Sequence, residues 1–205
     1  MTAQKGEHSR DMKRRIIDAS VKLFEERGYD VVTVAEIAKA AGCSPGNLYH
    51  YFKGKEELRY LSYKELDAQY EKTYRQMKKR GEFLVLEPEL RLVSFLLRVV
   101  ELDLEEPSMR YMYRFALLNQ GLDVKHDGPE RSFRRICMEL IEAMFKKGRV
   151  RAGITADRIY FELLTLSRGI LLNSLFMKDP YDIMDSARIA YLRFLLSVLN
   201  EEAKG

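Results

Sequence analysis

The stretch TVAEIAKAAGCSPGNLYHYFKGKEEL, Thr33 to Leu58, decides how the chain begins to fold. Thr33 and Glu36 have the spacing of a capping box, in which each side chain serves the other's backbone N–H. A short helix from Val34 to Ala41 then turns Val34, Ile37, Ala38 and Ala41 inward, and Gly42 ends it. Ser44 caps a third helix, with Pro45 in its first turn, where a missing N–H costs nothing. That helix runs to Tyr51, with Leu48 and Phe52 facing the core. Two short helices about a tight glycine turn make a helix-turn-helix. Such a corner also occurs as plain scaffold in helical proteins.

Upstream, a first helix is expected from Ser9, as cap, to Arg27. Its stripe is Ile16, Ile17, Leu23 and Phe24, and Gly28 sits at its left-handed end. Downstream, a long helix is expected from Lys55 to Lys79, with Leu58, Leu61, Leu66, Tyr70, Tyr74 and Met77 inside. Gly81 and Pro88 interrupt the chain. Five more helices follow near residues 89–104, 108–120, 130–147, 156–178 and 181–202. The fold class is therefore all-α with about nine helices.

The 205 residues are 46% hydrophobic and 32% charged, an ordinary globular composition. No apolar run reaches the roughly 18 residues that a membrane span needs. The N-terminal MTAQKGEHSRDMKRR has no apolar middle of the signal-peptide kind. Cys43 and Cys137 form no metal-ligand spacing or disulfide framework, so a reducing cytoplasm is the expected setting and no membrane partner is expected. Net charge is +4. Residues 1–55 hold ten Lys/Arg against seven Asp/Glu, so most of the basic excess lies there. That tilts the first quarter of the chain towards an acidic polymer. Lys13, Arg14 and Arg15 fit a solvated helix face better than a phosphate clamp, and Cys43 fits a small buried hydrophobe.

The outside of the third helix sharpens that reading. With Leu48 and Phe52 inward, Ser44, Gly46, Asn47, Tyr49 and His50 remain outside. These are compact hydrogen-bonding groups, where an idle surface helix usually carries Lys, Glu and Gln. The N-terminal half of a recognition helix is the part that meets base edges in the major groove. The positive helix ends at Thr33, Ser44 and Lys55 favour phosphates, with Lys53 adding charge beside them.

From Ile16 to Leu58 the chain resembles the DNA-binding motif of TetR-type transcriptional regulators. The resemblance rests on the aliphatic–Ala–Leu–Phe pattern of the first helix, Gly28-Tyr29, Thr33-Val34, Ile37-Ala38, Ala41-Gly42, Ser44, Gly46, Leu48-Tyr49, Phe52 and Lys55-Glu56. Cys43, Asn47, Tyr51 and Gly54 stand where Val, Thr, His and Ser are common. The resemblance implies an N-terminal DNA-binding domain over 1–54 and a ligand-binding and dimerisation domain over 55–205. It implies a homodimer whose three-helix heads each read half of a palindromic operator in double-stranded DNA. Thr33, Tyr49, Tyr51 and Lys55 are then expected at phosphates, and Ser44, Pro45, Gly46, Asn47 and His50 at or near bases. Asn47 matters most among the departures, because an amide pairs bidentately with adenine.

In the rest of the chain, Tyr111, Phe115 and Met144 are among large adaptable side chains that suit either a core or an apolar effector cavity. Arg98, Asn119, Arg168 and Asn173 are polar groups set among apolar neighbours. A buried charge needs a partner, either an anionic effector or a carboxylate such as Asp103, Glu139 or Glu162. The eighth and ninth helices, near 156–178 and 181–202, are apolar on more than one face. Ile159, Leu163, Leu166, Ile170 and Met177 mark one side of the eighth, and Phe161, Leu164, Leu172 and Leu175 another. Tyr191, Phe194, Leu195, Val198 and Leu199 line the ninth. A second stripe implies either full burial in one chain or a four-helix bundle with the same helices of a second copy. Gly169 allows close approach there.

His8, His50 and His126 pair with no Ser or Cys at a recognisable spacing, and no nucleotide-binding or zinc-protease motif occurs. The expected protein is not an enzyme and carries no cofactor or metal. It is expected to be a ligand-responsive transcriptional regulator, more a repressor than an activator. The competing reading is a helical protein-interaction module with the helix-turn-helix as scaffold.

Overall fold

The structure, a computed structural model, describes residues 2–105, 131–174, 176 and 180–201; within these, the side chains of 2–8, 10, 25, 56, 59–66, 180 and 181 are not described. Nine helices and no strands are present among the described residues: α1 Thr2–Arg27, α2 Val34–Ala40, α3 Pro45–Tyr51, α4 Lys55–Lys79, α5 Gly81–Val85, α6 Pro88–Glu105, α7 Ser132–Lys146, α8 Ala156–Asn173 and α9 Pro180–Val198. The expected helix over 108–120 lies outside the described residues, as do Tyr111, Phe115, Asn119, Leu175 and Met177 and the side chains of Leu61 and Leu66. The described residues fall into two compact units, one up to Leu66 and one from Asp67, so the division falls inside α4.

In the first unit α1 packs on α2, and α2 on α3. Met12, Ile16, Ile17 and Phe24 of α1 join Val32, Ile37, Ala38, Ala41, Leu48, Phe52 and Leu58 in the core. Ser20 is buried among them and donates to the Ile17 carbonyl at 2.7 Å. Ser9 does not cap α1, which begins at Thr2. The residues ahead of Ser9 include Ala, Gln, Lys and Glu, all good helix formers, so nothing there stops the helix.

In the second unit α6 touches α7, α8 and α9, and α8 touches both α7 and α9. Leu92, Phe95, Leu96 and Val100 of α6 are fully buried with Ile136, Ile141 and Met144 of α7, Ile159 of α8 and Tyr191 of α9. An aromatic chain threads this core. Tyr74 meets Phe83 at 6.1 Å and Phe95 at 5.5 Å, and Phe133 meets Phe95 at 6.2 Å and Tyr160 at 6.3 Å between centroids. Asp67 of α4 accepts the Ser132 N–H at 3.0 Å and lies 3.1 Å from Arg131, capping the start of α7.

Three further helix boundaries differ from expectation, each for a local reason. Gly81 starts a short helix rather than a plain break, anchored by buried Phe83. α8 stops at Asn173, because the Ser174 hydroxyl turns back to the Leu171 carbonyl at 2.6 Å. α9 stops at Val198, because the chain is taken up by a clasp with the α7–α8 loop. There Arg151 N–H donates to Val198 O and Asn200 N–H to Arg149 O, both at 3.0 Å, around a Val150–Leu199 bridge. The Arg149 guanidinium also pairs with buried Glu89 at the start of α6.

Candidate nucleic-acid interface

The helix-turn-helix is held by local chemistry at each joint. Thr33 is the N-cap of α2, with φ −99° and ψ 156°. Its hydroxyl oxygen accepts the Glu36 N–H at 3.3 Å, while the Glu36 carboxylate accepts the Thr33 N–H and hydroxyl, both at 2.8 Å. Arg27 reaches the same carboxylate at 2.6 Å. These bonds from the Thr33 backbone and hydroxyl, with that from Arg27, hold the Glu36 pKa down at about 2.

At the other end of α2, Gly42 N–H donates to Lys39 O at 3.1 Å and Cys43 N–H to Ala38 O at 2.9 Å. That is a Schellman turn, and it needs the positive φ of +71° that Gly42 supplies. Arg15 of α1 reaches the Ala41 carbonyl at 2.7 Å, tying α1 to the turn, while Lys13 and Arg14 are exposed. Cys43 is half-buried rather than fully buried. Ser44 accepts the Asn47 N–H at 3.1 Å, and Pro45 occupies the first turn.

This scaffold points Leu48 and Phe52 inward and leaves a continuous outer surface on α3. Ser44, Pro45, Gly46, Tyr49 and His50 are exposed, and Asn47 and Tyr51 are half-exposed. The His50 and Tyr51 rings meet edge to face at 5.2 Å. Gly46 is distinctive. A Cβ built there would meet nothing nearer than the Ser44 Oγ at 4.0 Å, and its φ lies outside the left-handed region. The fold has no use for a glycine at that position.

Lys55 differs from the other candidates because its side chain is already engaged. Its Nζ donates to the carbonyls of Tyr29 at 2.6 Å and Val32 at 3.2 Å, and lies 4.2 Å from the centroid of the Tyr29 ring.

The candidate effector residues are not gathered in the same way. Met144 is a fully buried core residue. Arg98 is half-exposed and pairs with Glu101 one turn along α6 at 2.6 Å, not with a buried carboxylate. Arg168 and Asn173 are exposed on α8. The carboxylates expected to meet buried arginines are engaged elsewhere: Glu162 by Arg158, Glu139 by Tyr74 and Lys78, and Asp103 by Tyr70. The buried polar groups described in this unit include instead the Tyr70–Asp103 pair and the Ser167–Tyr191 pair, the latter at 2.8 Å, beside Glu89 and Ser174. Burial raises the Asp103 carboxyl to about 7, against the lowering effect of the Tyr70 bond. Its place was marked in the sequence. Asp103 takes the next inward position after Leu92, Leu96 and Val99 on the α6 stripe.

The joints, the inward stripe and the outer face of α3 together define a helix-turn-helix protein. A model of the bacterial regulatory proteins of the tetR family matches residues 16–59. The HTH-type transcriptional regulator HbdR of Aromatoleum sp. (strain CIB) is 38% identical over 61 residues, 30% of this chain and 27% of that one. The fatty acid metabolism regulator protein of Bacillus subtilis (strain 168) is 43% identical over 56 residues, 27% of this chain and 29% of that one. The matches thus span under a third of these curated relatives. The likeness in fold runs further. The fatty acid degradation regulator FadR from Bacillus halodurans superposes with a TM-score of 0.74 at 21% identity, covering 89% of this chain and 94% of that one. Residues 16–59 thus carry the sequence signature of the tetR family of bacterial regulatory proteins.

Among the described residues no group of His, Cys, Asp and Glu is arranged to hold a metal ion, and no helix is long and apolar enough to cross a membrane.

Proposed function

We propose that this chain is a cytoplasmic, ligand-responsive regulator that binds a palindromic operator as a homodimer and represses transcription until a small molecule releases it. The observation that carries this reading is the outer face of α3, above all Gly46. Glycine inside a helix costs about 0.5–1 kcal/mol relative to alanine, and nothing in the chain's own packing requires it here. A bare backbone at a helix start suits close approach to a base edge. Ser44, Pro45, Asn47 and His50 would lie beside it at the bases, with Thr33, Tyr49, Tyr51 and Lys55 along the phosphates.

The DNA-binding part would comprise residues 1–54, and 55–205 would bind effector and partner. A dimer reading one face of DNA needs its recognition helices about 34–36 Å apart. An effector among the helices beyond Lys55 would act by favouring a state with a different spacing, passed on through α4. Only its difference in affinity for the two states drives release. Arg98, Met144, Arg168 and Asn173 are retained as candidate effector contacts, with Tyr111, Phe115 and Asn119.

Exposed apolar residues of α8 and α9 support the dimer. Phe161, at 68% exposure, shares a helix face with Thr165, Arg168 and Leu172, and Phe176 follows in the next turn. Ile189 and Leu196 are about half exposed on α9. Gly169 has open space around it. Among the described residues the eighth and ninth helices thus keep large apolar side chains outside the core.

The test is binding to duplex DNA flanking the gene at low salt. Wild type is expected to bind a palindromic site. Asn47→Ala is expected to lose about 1–3 kcal/mol at particular operator positions only. Gly46→Ala is expected to unfold at higher denaturant while binding the operator more weakly. If Gly46→Ala binds as well as wild type, α3 is scaffold and the protein-interaction reading takes over.

A further inference from the structure

We propose that Arg15 is a further DNA-contacting residue, which holds a backbone phosphate at the α2–α3 turn with the N–H groups that its bond to Ala41 leaves over. This rests on the DNA-binding reading above and adds a contact to it.

Lys13, Arg14 and Arg15 follow one another on α1, and all three are exposed. Lys13 and Arg14 keep to the solvated face expected of them, with Arg14 at 3.8 Å from Asp18. Arg15 departs from it. Asp11 and Asp18 stand one turn to either side, where an arginine on a helix finds its ion pair. Arg15 bonds instead to the Ala41 carbonyl at 2.7 Å, 26 residues away in the chain. Its guanidinium lies so close over the turn that a Cβ on Gly42 would stand 2.5 Å from Nη2. Gly42 therefore serves twice, for its positive φ and for the room it leaves.

The bond fills a need of α2. Ala41 is the C-cap of that helix, where carbonyls lack an intrahelical donor and a positive charge is favourable. It occupies one of the five N–H donors of a guanidinium. Among the described residues Arg15 makes no second hydrogen bond or ion pair. A cap asks for one donor, so most of the fork is surplus to the fold. Held at one N–H, that fork is already oriented, and a planar fork matches two phosphate oxygens at once. Its position suits the task. From Gly42 the chain passes directly into exposed Ser44, Pro45 and Gly46, the start of the surface that would meet bases. A major groove about 12 Å wide has phosphates along both rims, close to a helix that enters it. Lys39, exposed in the last turn of α2, adds a second positive charge to the same turn.

The experiment measures operator affinity across a salt series for wild type, Arg15→Gln and Lys22→Gln. Lys22 is exposed two turns further along α1 and serves as the control for charge. Arg15→Gln is expected to weaken binding about tenfold at low salt, the scale of one hydrogen bond to a charged group. It is also expected to reduce the slope of log affinity against log salt by about 0.9, the share of one phosphate. Lys22→Gln is expected to leave the slope unchanged.

A slope that Arg15→Gln leaves unchanged makes Arg15 a cap only and overturns the proposal, whatever the affinity does. An equal fall in slope for Lys22→Gln overturns it too, because the effect is then one of overall charge. Should Arg15→Gln not fold, the Nε–H resonance of Arg15 in wild type decides, assigned by its loss in Arg15→Lys. A shift and slower exchange with solvent on adding operator support the contact, and an unchanged resonance overturns it. If wild type binds no duplex at low salt, the DNA-binding reading fails and takes this contact with it. If wild type binds and Arg15→Gln keeps its slope, this contact alone fails.

Discussion

Phe161→Glu is expected to leave the chain folded and to take the proposed dimer apart. Phe161 is 68% exposed, and its ring belongs to no part of the core. A surface change of this kind alters the stability of a single chain by about 0.5 kcal/mol or less. In a two-fold dimer the same ring counts twice. Burying a phenylalanine side chain is worth about 1.5–3 kcal/mol, so the pair contributes about 3–6 kcal/mol, before any cost of bringing two carboxylates together. That corresponds to a rise of about two to four orders of magnitude in the dimer dissociation constant. Sedimentation at micromolar concentration measures it directly. A variant that sediments as wild type does would remove α8 from the interface. On the proposed function, operator binding should fall alongside dimerisation, because each head alone would read half a palindrome.

The second large effect concerns pH. Asp103 is buried, and burial raises its carboxyl from the ordinary 3.8 to about 7. The folded chain therefore keeps a proton that the unfolded chain releases. This stabilisation is fully present below pH 4, declines as pH rises, and is gone above about pH 7. The difference of about three pKa units corresponds to about 4 kcal/mol. Asparagine at this position still accepts from the Tyr70 hydroxyl and never ionises. Asp103→Asn is thus expected to match wild type near pH 4 and to exceed it by up to about 4 kcal/mol at pH 8, measured by urea unfolding. Parallel pH curves for the two proteins would show that Asp103 holds no proton in the fold.

The parts legible in the sequence were those governed by neighbours along the chain. Thr33 with Glu36, Ser44 with Pro45, and Gly42 are each read within a few residues, and the structure has the capping box, the cap and the Schellman turn at those positions. Leu48 and Phe52 follow from helical spacing alone. Parts governed by distant residues were not legible. The partners of Lys55 are backbone carbonyls more than twenty residues upstream, and a carbonyl has no letter in the sequence. The end of α9 depends on a clasp with residues 149–151. Arg98 and Arg168 looked embedded because their sequence neighbours are apolar, yet those neighbours turn to the other side of each helix. Asp103 was the converse, a carboxyl in the inward register whose partner, Tyr70, lies on α4.

Gly46 also bears on how such a protein can be changed in the laboratory. A screen for heat resistance alone rewards replacement of a helical glycine that meets nothing, and alanine there offends no neighbour. Substitution tables ranked by thermal tolerance would place that change near the top. On the reading developed above, such a screen would enrich variants that survive heating and no longer find their operator, so position 46 is one to hold constant in any stabilised library.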